Sequence, residues 1–200
     1  IGLVGSEMCI RDSYDPVPAG ERLEYTNLTF QRDTATLAIG DSKEGWAQAL
    51  SRYFELITNR EYEGITTLVV NYDSIRPKGE RLKTFGGTAS GSGSMMTMLD
   101  KIHKVVTAAG ARDGAVRTQL RPIDLLDIAN IIGENVVSGG VRRTSEIGLV
   151  DADDKTCIQA KSNLYRQLNG HWEIDKSIAH RQMSNNSIFY RLSLIHISEP

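Results

Sequence analysis

The sequence predicts an α/β fold, and three neighbouring segments carry that reading. Residues 36–39 form a short β-prone run that stops at Gly40; Asp41 and Ser42 then offer an N-cap; and Trp46, Ala49, Leu50, Tyr53, Phe54 and Ile57 recur at the spacing of one helix face. Residues 65–72 (ITTLVVNY) are β-branched and nearly continuously apolar, as expected of a strand covered on both faces. A strand, a capped amphipathic helix and a second strand at this spacing imply a parallel pair, because the helix returns the chain to the sheet in the same direction.

The remaining elements follow in order. Residues 14–32 are polar, with Pro16 and Pro18, and read as an irregular lead-in holding one strand around residues 23–30. A glycine-rich stretch ends near Gly91, and Met95, Met98, Leu99, Ile102, Val105 and Val106 then mark a helix. A further helix is predicted over 122–137, with Pro122 at its start and Ile123, Leu126, Ile128, Ile131, Ile132 and Val136 turned inward. Residues 138–144 (SGGVRRT) read as a loop and 146–150 as the next strand. Residues 151–181 are mixed and polar, helical in pieces, before MSNNS and a final short run at 188–190.

Composition sets the outer bounds. The 200 residues are 40% hydrophobic, with 23 Lys plus Arg against 25 Asp plus Glu, which describes one ordinary globular domain or part of a larger one, with no membrane span. Cys9 and Cys157, with four scattered His, give neither a disulfide framework nor zinc-ligand spacing; this points to a reducing compartment. Residues 1–13 (IGLVGSEMCIRDS) and 193–200 (SLIHISEP) share no periodicity with their neighbours and resemble translated sequencing-adapter strings. They are expected to be foreign to the fold. Without them one base (Arg11) and three acids (Glu7, Asp12, Glu199) go, leaving equal numbers of each sign. A neutral chain lacks the basic excess that phosphate-driven nucleic-acid binding requires, so no nucleic-acid partner is expected. The apolar run of the first stretch is broken by Gly5, Ser6 and Glu7, so export is not expected and a cytoplasmic location is.

Two loops carry the candidate chemistry. In the first, Gly86, Gly87 and Gly91 would let the main chain approach an anion, while Arg76, Lys78, Arg81 and Lys83 supply donors to phosphate oxygens. In the second, Gly139 and Gly140 permit bending and Arg142 and Arg143 add a cationic pair. A loop between the carboxyl end of a strand and a helix is where α/β proteins place ligands. Neither G-x-x-x-x-G-K-[ST] nor G-x-G-x-x-G behind a strand occurs, which excludes the ordinary P-loop and dinucleotide-binding readings. Solvated surface loops are the alternative on composition alone.

Taken together, IGDSKEGW, IRPKGERLKTFGGTASG, NIIGENVVSGGVRRTSEIGL and RQMSNNS, in that order from Gly40 to Ser187, resemble ribonucleotide reductase of the adenosylcobalamin-dependent (class II) kind, most of all the ribonucleoside-triphosphate reductases. The resemblance implies a partial ten-stranded α/β barrel, mainly its first half, over residues 14–192. It implies that Asp41 and Ser42 begin the allosteric specificity site, with a plain N-cap as the other reading of Ser42. By the same resemblance Arg76, Lys78, Arg81, Lys83, Gly86 and Gly87 would hold the effector deoxynucleotide (a dNTP). Ser138, Gly139, Gly140, Val141, Arg142 and Arg143 would form the loop that relays effector identity. Ser184, Asn185, Asn186 and Ser187 would approach the substrate, a ribonucleoside triphosphate, although SNNS is also a good turn. His103, His171 and His180 are read as structural, Met95, Met96 and Met98 as core, and Trp46 as a core anchor.

The family's chemistry uses a cysteine thiyl radical and a reducing cysteine pair, with adenosylcobalamin as cofactor and a thioredoxin-like reductant as partner. Cys157, in DDKTCIQAKS, bears no likeness to the radical-cysteine motif and is expected to be an ordinary thiol. The radical and reducing cysteines are expected outside this stretch, and the segment alone is expected to be inactive. A nucleotide-sensing module without catalysis, and a reductase of another class acting on diphosphates, are the alternatives.

Overall fold

The computed structural model describes residues 8–82, 87–113, 119–138 and 146–189. A four-stranded sheet in the order β1-β4-β3-β2 is made of β1 Cys9–Ser13, β2 Asn27–Gln31, β3 Thr34–Ala38 and β4 Thr67–Asn71. The predicted parallel pair is present: β3 runs beside β4, Thr34 opposite Thr67 and Ala38 opposite Asn71. β2 pairs antiparallel with β3 from Asn27↔Ala38 to Gln31↔Thr34, turning through Arg32, whose φ of 56° is left-handed. The lead-in strand thus lies a few residues later than the hydrophobic pattern placed it.

Period-two alternation decides which side of this sheet is dry. Ala35 and Leu37 of β3 and Leu68 and Val70 of β4 are fully buried, while their neighbours along each strand are half-buried. Helix α1 (Lys43–Thr58) covers that face with Ala49, Tyr53, Leu56 and Ile57. The core also takes Met95, Met98, Leu99, Ile102 and Val106 from α2 (Gly93–Asp113), then Ile128 and Ile131 from α3 (Pro122–Ser138). Each fully buried Leu or Ile contributes about 1.5–3 kcal/mol, so the sheet together with α1 and α2, which share one core with its buried face, is the stable body of the molecule. The Tyr53 hydroxyl and His103 Nδ1, 2.9 Å apart, join α1 to α2; His103 is structural, as expected, and desolvation holds its pKa below the ordinary value.

One expectation, the helical reading of residues 151–181, needs correction, and two further segments take forms that the sequence did not suggest. Cys9–Ser13, set aside as foreign, is a strand here: it pairs parallel with β4, Cys9 opposite Thr67 and Ser13 opposite Asn71, and Met8 beside it is buried. An open strand edge accepts any chain that offers matching amide and carbonyl groups, so lack of periodicity in the segment did not keep it off the sheet. Residues 151–181 are not mainly helical. They hold one short helix, α4 (Lys155–Ile158), and an exposed hairpin of β6 (Tyr165–Leu168) and β7 (His171–Ile174). Its turn is Asn169-Gly170, with φ of 51° and 83°, the two left-handed positions that a tight hairpin needs and that Asn-Gly satisfies. Finally, residues 184–187 are not a turn. They open β8 (Ser184–Phe189), which pairs parallel with β5 (Glu146–Asp151).

Candidate functional site

β3 and β4 run in parallel, so their carboxyl ends emerge together, and the two motifs that follow them meet there. Main-chain crowding fixes the first: a Cβ on Gly40 would lie 2.4 Å from Glu24 O, and one on Gly45 2.8 Å from the same oxygen. Only glycine fits at either place. Ser42 between them caps α1, its Oγ accepting from Gly45 N at 2.9 Å and donating to Glu24 O at 2.6 Å. Such a cap contributes about 1 kcal/mol. Ser42 is therefore the N-cap of α1.

Asp41 faces the other motif. Arg76 donates to its carboxylate through Nε at 3.0 and 2.9 Å and through its main-chain N–H at 3.2 Å. Nη2 of Arg76 also donates to Asp41 O at 3.3 Å. Arg22 stands 3.7 Å from the same carboxylate and makes a two-pronged pair with Glu80 at 2.7 and 2.8 Å. The result is a chain of alternating charge, Glu80–Arg22–Asp41–Arg76, whose hydrogen bond to Glu80 raises the Arg22 pKa. Charge-assisted pairs of this geometry fix orientation as well as adding energy. Arg76 is thus committed to Asp41, whereas Lys78 and Arg81 are exposed and, among the described residues, have no carboxylate partner.

The first loop leaves this network as a narrow antiparallel excursion. Gly79 N donates to Ala89 O, Ala89 N to Glu80 O and Leu82 N to Gly87 O, with a bridge between Arg81 and Thr88. Gly79, Gly87 and Gly91 take φ of 92°, 125° and 78°, which a residue with a Cβ adopts only under strain. At Gly91 a Cβ would also meet Lys78 N at 3.0 Å. Lys83 and Gly86 lie outside the described residues.

The second group forms around β5 and β8. Ser138 is the last residue of α3, and Gly139, Gly140, Val141, Arg142 and Arg143 lie outside the described residues. On β8, Ser184 is opposite Glu146, Asn185 opposite Ile147, Asn186 opposite Gly148 and Ser187 opposite Leu149. Ser184 is buried, its hydroxyl donating to Asn186 Oδ1 at 2.8 Å and its carbonyl accepting from Lys161 Nζ. Asn185 and Ser187 are exposed.

The thiols do not form a redox pair. Cys157 is fully buried with Ile123 and Ala160, and desolvation, with the Asp154 carboxylate next, pushes its pKa up to about 12. It stays a thiol at neutral pH. Cys9 is exposed on β1. Among the described residues no group of His, Cys, Asp and Glu could hold a metal ion, and no helix is long and apolar enough to cross a membrane.

Against family models, residues 10–106 match the insertion domain of B12-dependent ribonucleotide reductase and residues 64–151 match the ribonucleotide reductase barrel domain. The chain belongs to the B12-dependent ribonucleotide reductases. The adenosylcobalamin-dependent ribonucleoside-triphosphate reductase of Lacticaseibacillus paracasei is 34% identical over 172 residues, covering 84% of this chain and 20% of that protein. The protein of the same name from Lactobacillus acidophilus is 33% identical, covering 80% of the chain and 21% of its own length. A crystal structure of a B12-dependent (class II) ribonucleotide reductase superposes with a TM-score of 0.62 at 28% identity, over 80% of this chain and 20% of that one. The chain therefore spans about one fifth of the length of these relatives. The barrel-domain match takes in β4 and β5, one strand from each of the two sheets that hold parallel pairs among the described residues.

Within this reductase segment, sequence reasoning missed two sets of residues. Arg22 and Glu80 gave no local signal, since both lie in polar stretches and meet only through the fold. Asp127 did give one: it falls among Ile123, Leu126, Ile128 and Ile131 on an apolar helix face, and an acid buried there requires a cation. The structure supplies Arg181, from the RQMSNNS motif.

Proposed function

We propose that this chain is the effector-responsive part of a ribonucleoside-triphosphate reductase, an enzyme that converts ribonucleotides to 2′-deoxyribonucleotides. The observation that carries the reading is the meeting of Asp41 and Arg76 at the carboxyl ends of parallel β3 and β4, with exposed Lys78 and Arg81 immediately beyond. That is where an α/β sheet presents a ligand crevice. The names of the relatives support triphosphate rather than diphosphate substrates.

In this reading Lys78 and Arg81, with Lys83, neutralise the phosphates of a dNTP effector, and Gly86 and Gly87 let the main chain approach it. Arg76 is held by Asp41, so its part is to fix the start of the loop, and Ser42 keeps the α1 terminus in place beside it. Ser138, Gly139, Gly140, Val141, Arg142 and Arg143 relay effector identity, a coupling of the usual order of about 1–3 kcal/mol. Ser184, Asn185, Asn186 and Ser187 meet the substrate; exposed Asn185 and Ser187 supply the donors and acceptors, while Ser184 and Asn186 brace the strand.

Adenosylcobalamin, named for the relatives, supplies radical chemistry when bound. Among the described residues neither thiol is placed to join it, Cys157 being sealed in apolar surroundings and Cys9 lying exposed on β1. A thioredoxin-like reductant and a cytoplasmic setting belong to the same reading. Equilibrium binding of dNTPs to the full-length reductase carrying this segment tests it. Binding weakened about tenfold or more by Lys78→Ala with Arg81→Ala is the expected result, worth about 1.4 kcal/mol; unchanged binding overturns it.

A further inference from the structure

A second buried charge cluster lies away from the first loop, between α3 and the short turn Ala179–Gln182 that leads into β8. Arg181 donates to Asp127 Oδ1 through Nε at 2.6 Å and to Oδ2 through Nη2 at 2.7 Å, and its Nη1 donates to Ala160 O at 2.8 Å. His180 Nε2 stands 3.0 Å from the same Asp127 Oδ1, and the Asp127 and His180 side chains are only 12% and 8% exposed. One guanidinium thus ties together α3, the end of the α4 segment and the entrance to β8.

An enclosed ion pair is a costly way to gain stability, because desolvation of both charges offsets much of their attraction. What a two-pronged pair supplies in return is a fixed direction. Here that direction sets β8. Ser184, three residues beyond Arg181, is buried against Lys161 and Asn186 and stands opposite Glu146. On the other strand a Cβ at Gly148 would come within 3.0 Å of Leu126, the residue before Asp127. α3 therefore meets the β5·β8 pair through adjacent residues, Leu126 by packing against β5 and Asp127 through Arg181 in the turn that enters β8.

We propose that Asp127, acting through Arg181, is a positioning residue that holds residues 184–187 at the depth and register where Asn185 and Ser187 meet the nucleotide. The inference rests on the substrate role proposed above for that strand. Neither residue touches the substrate; the pair sets where the touching residues are.

The test is steady-state kinetics on the full-length reductase carrying this segment, with folding followed by circular dichroism and thermal unfolding. Asp127→Asn and Arg181→Met are expected to raise KM for the ribonucleoside triphosphate about tenfold with a smaller change in kcat, the pattern of lost ground-state binding. Arg181→Lys, which keeps the charge and a single prong, recovers part of the loss. Asp127→Leu combined with Arg181→Met replaces the pair by apolar bulk and so removes the buried charge that endangers folding; it too shows the raised KM. A folded variant with unaltered KM, a lowered melting temperature as the only change, or Arg181→Lys no better than Arg181→Met overturns the proposal. Failure of the unmutated reductase to turn over any ribonucleotide overturns instead the functional reading beneath it.

Discussion

Replacing Asp41 with alanine removes the acceptor that joins the two strand ends, and the structure sets the size of the effect. Two Arg76 N–H groups converge on this carboxylate, the main-chain N–H at 3.2 Å and Nε–H shared between both oxygens at 3.0 and 2.9 Å. Hydrogen bonds to charged groups are worth about 1.5–3 kcal/mol each when buried. The Asp41 and Arg76 side chains are 12% and 27% exposed, so solvent screening brings the total for the group down to about 2–3 kcal/mol. A double-mutant cycle of Asp41→Ala with Arg76→Ala, read by urea unfolding, should return a coupling of about 1–2 kcal/mol. The same cycle with Arg22→Ala should return under about 0.5 kcal/mol, because Arg22 is 3.7 Å away and already committed to Glu80. A coupling near zero for Arg76, or the reverse order of the two arginines, would refute the proposed network.

The acid limb of stability should report on Asp127. Burial alone would raise its pKa, but the two-pronged hydrogen bond from Arg181 and the charge it brings, with His180 3.0 Å away, outweigh burial and hold it below the ordinary 3.8. A carboxylate depressed by folding contributes stability that is complete above its unfolded pKa and is lost as pH falls through the folded one. Unfolding followed below about pH 4 should therefore show a loss that Asp127→Asn flattens, and equal slopes would count against the pair. Thiol titration with a disulfide reagent should find one fast group, Cys9, in the native chain and two in denaturant, because Cys157 is enclosed and un-ionised; rapid native labelling of both would show that the α3–α4 contact opens. Gly40→Ala, which puts a methyl 2.4 Å from Glu24 O, should lower the thermal midpoint far more than Gly170→Ala, where a Cβ meets nothing and only φ of 83° opposes it. Parity between the two would mean that the Gly40 approach is looser than described.

Much of the first half was legible in sequence because local signals and tertiary packing agree there. The stop at Gly40, the Ser42 cap and the apolar spacing of α1 each point to the element that forms, and the parallel β3·β4 pair follows from helix length alone. The hairpin at 165–174 was missed: Asn169-Gly170 carries a turn signal, but its flanks offer little apolar alternation and its strands are almost wholly exposed. The strand at 184–187 was hidden for a different reason. Polar residues with turn propensity form β8 because β5 gives their main chain a partner and Arg181 fixes the entry, and neither fact is local. Of the candidate site, residue types and order were readable, while the commitment of Arg76 to Asp41 was not, since the partners are separated by a helix and a strand.

A crystal structure of the full-length reductase carrying this segment, determined with a bound dNTP, shows where the effector phosphates sit. Phosphate oxygens within about 3.2 Å of Lys78 or Arg81, with the Asp41–Arg76 pair intact beside them, are predicted. A dNTP bound with its phosphates on other residues, the first loop untouched, would contradict that prediction.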